Sequence, residues 1–143
     1  MFIGEYNHSV DAKGRMNVPA KFREDLGERF YITKGLDNCL FMFPETEWRV
    51  FEEKLKTLPL TNRNARAFVR LFFAGATECT LDKQGRVNIP QPLRDHGQIE
   101  KDVIVIGVGT RVELWSDTNW TAYNDPDNIS YDDIAEQMAE LGI

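Results

Sequence analysis

Residues 11–23 read DAKGRMNVPAKFR and residues 82–94 read DKQGRVNIPQPLR, two copies of one stretch set 71 residues apart. Six of the 13 positions are identical, and three more exchange one apolar residue for another. A long-period repeat constrains a fold strongly, because a unit too small to bury its own apolar face must bury it against its copy. The similarity spreads beyond this stretch. Gly4 and Gly75, and Val10 and Leu81, share the 71-residue offset. At an offset of 72, Gly35 answers Gly107, Leu40 answers Val112, Phe43 answers Trp115 and Trp48 answers Trp120. One residue is therefore added between the registers, in the loop around Gly27 and Gly97. The chain reads as two units of about 70 residues followed by a tail.

Each unit gives the same local signals. YNHSV and TECTL are short alternating or β-branched runs, hence strands. DAKG and DKQG follow as hairpin connections, with glycine supplying the positive φ. RMNVP and RVNIP are return strands that point Met16/Val18 and Val87/Ile89 to one face. Pro19 and Pro90 stand at the first position of a short helix, and the first of these helices closes at Gly27. RFYITKG and DVIVIGVG are apolar strands, followed by CLFMF and RVELW. TEWRVFEEKLKTL spaces Trp48, Phe51, Leu55 and Leu58 as an amphipathic helix, and DTNWTAY is its shorter echo.

Two segments have no sequence counterpart. Residues 61–73 predict a helix joining the units, with Arg63, Arg66 and Arg70 on one face. Residues 130–141 predict a helix capped by Ser130, with Ile134, Met138 and Leu141 as its apolar stripe. That helix is expected to dock on the body or on a neighbouring subunit. No Pro/Ser/Gly-rich linker separates the units. Two copies related by a pseudo-two-fold axis, interleaving their hairpins into one sheet or barrel, fit this better than independent beads.

The 143 residues carry a net charge of −6, which at first argues against a polyanionic partner. The distribution reverses that reading. Residues 1–116 hold all 17 Lys and Arg against 16 Asp and Glu, whereas residues 117–143 hold seven acids and no base. A near-neutral body can carry a local basic surface. The N-terminal MFIGEYNHSVD has neither the basic nor the apolar region of a secretion signal, and no run is long enough to span a bilayer. Cys39 and Cys79 lack metal or redox spacing and read as reduced, packed thiols of a cytosolic protein.

Asp11 and Asp82 precede the two turns, where a short carboxylate can accept backbone N–H bonds or hold the arginine four positions on. Gly14 and Gly85 shape the turns. Arg15 and Arg86 open the return strands, where planar guanidinium groups suit phosphate oxygens or a guanine edge. Lys13 and Lys83 add a cation to each loop, one position out of step, and Lys21, Arg23 and Arg94 follow in the short helices. The residues themselves leave two readings open. The Asp–Arg pairs clamp turns in a non-catalytic β-barrel interaction or scaffold module, or the doubled basic loops meet the repeating phosphates of DNA. Asn17 and Asn88 read as backbone-bonding residues. Enzymatic readings fare poorly. His8 and His96 are not at equivalent positions and have no ligand partners, and no nucleophile elbow, P-loop or dinucleotide fingerprint occurs. Each of the paired carboxylates has its own arginine, so neither is poised to share a proton. No cofactor, metal or small-molecule substrate is implied.

Two D-x-x-G-R motifs about 70 residues apart, each running on into N-[VI]-P and a further arginine, resemble the MraZ family, as does the opening MFIGEYNHSVDAKGR. The resemblance covers essentially the whole chain. It implies the swapped-hairpin β-barrel group of SpoVT/AbrB-type transcription factors: an α+β, β-rich fold of two such repeats forming a pseudo-symmetric barrel with short peripheral helices. The expected divisions are repeat one over residues 1–60, a connecting helix over 61–75, repeat two over 76–123, and an acidic helical tail over 124–143. The resemblance further implies a cytoplasmic, nucleoid-associated bacterial regulator. It would bind G-rich direct repeats in double-stranded promoter DNA, repress the division and cell-wall gene cluster together with its own gene, and assemble as a homo-oligomeric ring. The D-x-x-x-R signature falls on Asp11 and Arg15, and on Asp82 and Arg86. This makes Arg15 and Arg86, with Lys13 and Lys83, the implied DNA contacts, and Asp11, Gly14, Asp82 and Gly85 the loop supports. Ala12-Lys13 against Lys83-Gln84 is the one asymmetry between the loops.

Overall fold

A computed structural model describes residues 1–143. The order of elements repeats without exception: strand, strand, helix, strand, strand, helix, helix. The first unit comprises β1 (Phe2–Ser9), β2 (Arg15–Asn17), α1 (Ala20–Leu26), β3 (Phe30–Lys34), β4 (Leu40–Pro44), α2 (Glu45–Lys56) and α3 (Arg63–Gly75). The second comprises β5 (Thr77–Cys79), β6 (Arg86–Asn88), α4 (Gln91–His96), β7 (Asp102–Gly109), β8 (Val112–Ser116), α5 (Asp117–Tyr123) and α6 (Tyr131–Ala139). The two helices without sequence counterparts, α3 and α6, thus close their units in the same place.

The strands exchange partners between units. β1 pairs with β7, β5 with β3, β4 with β8 and β2 with β6, all antiparallel. Only β3–β4 and β7–β8 are hairpins within a unit. The six-stranded sheet runs β1-β7-β8-β4-β3-β5, and β2-β6 forms a separate ribbon. Two residue pairs, Phe41 with Glu113 and Met16 with Val87, join equivalent positions of the two units and so mark the pseudo-two-fold axis.

Several expectations change. The return strand does not form a hairpin with the strand before its turn: β1 and β2 share only the Val10–Met16 bridge. The ladders do not close into a barrel, because hydrogen bonding ends at β1 on one side and at the three-residue β5 on the other. Gly35 and Gly107 are not equivalent. Phe30 pairs with Cys79 where Val103 pairs with His8, an offset of 73, whereas Met42 and Leu114 keep 72. The second unit gains two residues before its third strand and loses one in the following hairpin. Pro19 and Pro90 occupy the N-cap rather than the first helical position. Leu58 falls beyond the end of α2 and is partly exposed.

The sheet separates two cores. On one face Phe30, Ile32, Leu40, Met42, Val103, Val105, Val112 and Leu114 pack against the ribbon and the short helices α1 and α4. On the other, Phe41, Phe43, Ile104, Ile106 and Trp115 pack against α2 and α3, with Trp120 of α5 alongside. Phe72 anchors α3 there between Phe41 and Phe51, and the Thr33 hydroxyl donates to the Phe72 carbonyl at 2.7 Å. Cys79 lies in β5 and Cys39 just before β4. Both are buried, which pushes the Cys79 thiol up to about 12 and Cys39 higher still, so neither is a thiolate near neutral pH. No helix is long and apolar enough to cross a membrane.

The ribbon is locked to the turns of the opposite unit. Val18 N–H donates to the Gly85 carbonyl at 3.0 Å, and Ile89 N–H to the Gly14 carbonyl at 2.7 Å. Both glycines have positive φ, 83° and 76°. A Cβ at Gly14 would lie 3.0 Å from the Arg94 guanidinium and from the Ile89 carbonyl, and one at Gly85 would overlap Arg23. Gly14→Ala and Gly85→Ala should each cost roughly 1–3 kcal/mol, from left-handed strain and displaced arginine together. Chemical denaturation checks this. A change below about 0.5 kcal/mol at either position would mean that the turn conformation is not constrained.

Candidate nucleic-acid interface

Each turn is built around its aspartate in the same way. Asp11 Oδ1 accepts the backbone N–H groups of Lys13 and Arg15, both at 2.9 Å, and Oδ2 accepts Arg15 Nε at 2.7 Å. Asp82 Oδ1 accepts from Gln84 and Arg86 at 2.9 Å, and Oδ2 accepts Arg86 Nε at 2.8 Å. Backbone bonds between Asp11 and Arg15, and between Asp82 and Arg86, close both loops at 2.9 Å. The differing residues inside the loops, Ala12-Lys13 and Lys83-Gln84, leave this geometry unchanged because only the backbone N–H two residues after each aspartate is used.

The clamp spends one guanidinium nitrogen and leaves the others free. No hydrogen bond within the chain engages the Nη groups of Arg15 or Arg86, and both side chains are partly exposed. Met16 and Val87 are buried at the centre of the ribbon. Strand alternation therefore sends Arg15, Asn17, Arg86 and Asn88 to the opposite, outward face. Arg15 opposes Asn88 and Arg86 opposes Asn17, so the arginines are diagonal neighbours with Cα atoms about 7–8 Å apart. Lys13 and Lys83 ride on the flanking loops without a carboxylate partner. Asn88 Nδ2 donates to the Lys13 carbonyl at 3.2 Å, tying the ribbon to the opposite loop, while Asn17 makes no such bond.

Arg23 and Arg94 act here in a way that residue type alone does not reveal. Arg23 Nε donates to the Val18 carbonyl at 3.0 Å and Arg94 Nε to Ile89 at 2.9 Å. Each guanidinium then lies over the glycine of the other unit's turn. The signal for this was their shared 71-residue offset. By contrast, Arg63, Arg66 and Arg70 lie on α3, on the far side of the sheet from the ribbon. No cluster of His, Cys, Asp and Glu suited to a metal forms, and His96 Nε2 bonds the Gly35 carbonyl instead.

Both clamp carboxyls are held below the usual range. The backbone N–H of Arg15 lowers Asp11 most, and that of Arg86 lowers Asp82 most. Desolvation opposes this, and the guanidinium and the second loop amide lower both further. A depressed folded-state pKa gives a contribution that is complete above the unfolded value of about 3.9 and lost as pH falls through the folded one. The amide resonances of Lys13, Arg15, Gln84 and Arg86 should stay constant from pH 7 to about 5 and move only below about 3.9. Movement centred near pH 6 would show that another group controls the loops.

Two consecutive stretches of the chain, residues 1–71 and 72–141, match the family described as "MraZ protein, putative antitoxin-like". Over 143 residues, covering all of both chains, the sequence is 66% identical to the transcriptional regulator MraZ of Alkaliphilus metalliredigens (strain QYMF). It is 62% identical, again over the full length of both, to the transcriptional regulator MraZ of Clostridium tetani (strain Massachusetts / E88). A third relative so named, from Carboxydothermus hydrogenoformans, is 59% identical over 99% of each chain. These relatives are named as transcriptional regulators. With the duplicated clamp and near-complete coverage in agreement, the chain belongs to the MraZ family.

Proposed function

We propose that this protein is a sequence-specific DNA-binding transcriptional regulator and that the outward face of the β2–β6 ribbon is its DNA-contacting surface. The observation that carries this reading is the pair of identical Asp–Arg clamps on one ribbon, each leaving its Nη groups unpartnered. A two-stranded ribbon fits the major groove of B-DNA, where arginine reads guanine O6 and N7 in bidentate fashion. Two arginines about 7–8 Å apart span roughly two base-pair steps of 3.4 Å, so both can meet bases of one short site. Lys13 and Lys83 serve as phosphate contacts, and Asp11 and Asp82, with Gly14 and Gly85, hold the arginines in place before DNA arrives. The relatives' name supports the regulatory role.

The finer assignment is repression. The protein binds G-rich direct repeats ahead of the division and cell-wall gene cluster, which includes its own gene, as a homo-oligomeric ring on the nucleoid in the cytoplasm. Tandem repeats suit a multivalent reader, since a second ribbon bound to the same DNA acts at raised effective concentration. The swapped-hairpin description of the SpoVT/AbrB type is supported by the exchange of β1 and β5 between units. The scaffold reading treats the clamps as turn braces alone, yet a brace that uses only Nε does not exclude contact through Nη.

Gel-shift titration with the DNA upstream of the protein's own gene tests the proposal. Arg15→Ala and Arg86→Ala should each weaken the shift by roughly tenfold or more, since a bidentate base contact is worth about 1–3 kcal/mol. Circular dichroism and assembly size should stay native. Lys13→Ala or Lys83→Ala should weaken binding evenly across sequences and lower the salt slope by about one. Full affinity in either arginine variant rejects that arginine, and a response flat in salt rejects the interface.

A further inference from the structure

The outward face of the ribbon sets Arg15 opposite Asn88 and Asn17 opposite Arg86. The clamps on its arginines are the same in both units, and so are the braces formed by Arg23 and Arg94. The two asparagines break this symmetry. Asn88 Nδ2 is committed to the Lys13 carbonyl at 3.2 Å, which fixes its carboxamide against the opposite loop. By the 71-residue offset the matching acceptor for Asn17 is the Gln84 carbonyl, and that bond does not form. Asn17 is exposed, and its carboxamide has no partner within the chain. Asparagine is depleted in strands, because its side chain competes for backbone bonds and packs poorly on a pleated surface. Nothing in the fold uses this one.

Directly opposed residues of an antiparallel pair have Cβ atoms about 4.5–5.5 Å apart. Successive bases of one strand are about 3.4 Å apart, so Asn17 reaches within about two base pairs of whatever Arg86 contacts. A carboxamide presents one acceptor and one donor side by side. That pair matches the N6 amino group and N7 of adenine in the major groove. Guanine offers two acceptors at the same edge, O6 and N7, and sets O6 against the carboxamide oxygen.

We propose that Asn17 is a specificity-determining residue that reads an adenine beside the guanine read by Arg86, while Asn88, already engaged, reads no base. The assignment rests on the reading of the ribbon as the DNA-contacting surface. Its consequence is directional. A ribbon with an exact two-fold axis would match a palindrome and fit it equally in either orientation. With one free asparagine and one tied, the ribbon prefers a site without two-fold symmetry and binds it in one orientation.

Selection from randomised duplex DNA, at one fixed salt concentration, tests this with full-length wild type, Asn17→Ala and Asn88→Ala. Wild type should enrich sites with an adenine within about two base pairs of a guanine, on one side of the site only. Asn17→Ala should lower the preference for that adenine by roughly tenfold and keep the guanines, with circular dichroism and assembly size unchanged. Asn88→Ala should keep the adenine. An unchanged preference in Asn17→Ala overturns the role of Asn17. So does a wild-type site with no adenine at that place, or an equal loss of affinity for every sequence, which marks a phosphate contact. Loss of the same adenine in Asn88→Ala overturns the asymmetry. A wild-type chain that enriches no sequence rejects the ribbon reading itself, and this assignment with it.

Discussion

Everything in this fold hangs on the exchange of hydrogen bonds between each turn and the opposite unit's return strand. The Gly14 carbonyl is held by Ile89 and the Gly85 carbonyl by Val18, with Met16 and Val87 paired between them at the axis. Three residues of strand are too few to persist alone, since an isolated two-stranded hairpin is marginal even at greater length. The ribbon exists because its inner face, Met16 and Val87, is buried against the sheet and its ends are tied down by the two turns. Neither unit could present its loop without the other.

The same exchange explains how exposed charged side chains can be kept in order. A surface Asp–Arg pair is worth little by itself, because solvent screens it and its side chains lose entropy in forming it. Here the carboxylate is already fixed by two backbone N–H groups before it meets Nε, so the arginine joins a rigid acceptor. From the other side, Arg23 and Arg94 cover the turn glycines, where any larger residue would intrude. The arrangement places Arg15 and Arg86 with their remaining donors outward, and a preorganised donor loses less freedom when it engages a partner.

Much of this was legible in the residues. The 71-residue repeat, the strands, the short helices and the Ser130 cap all follow from spacing and turn chemistry, and the cap bond to Asp133 forms at 3.3 Å. Strand partners were not legible. Alternation says which side chains face inward, but RMN can satisfy its backbone against YNHSV or against RVN equally well, and tertiary burial decides. Identical letters also misled: Gly35 and Gly107 align in sequence, yet strand register sets Gly107 opposite Val112 as Lys34 is set opposite Leu40. The braces Arg23 and Arg94 were visible as repeated cations, while their task depends on a crossing that no local pattern encodes. The kinship of α3 and α6 was hidden because packing has shaped one around Phe72 and left the other acidic and unburied.

The layers resolve the apparent conflict between an acidic chain and the proposed polyanionic partner. Ribbon, sheet and the helices α2, α3 and α5 are stacked, and packed layers lie about 10 Å apart, which sets the helical face roughly 20 Å from the ribbon. The Debye length at physiological ionic strength is about 8 Å, so charges on one face are largely screened from the other. The Tyr131 hydroxyl donates to Asn124 Oδ1 at 2.7 Å and Ile134 lies beside Trp115 and Tyr123, which holds α6 on the helical face. Its three acids therefore add to the net charge of −6 without setting the potential at Arg15 and Arg86. The ribbon face and the helical face therefore carry separate local fields. The sum of its charges describes neither.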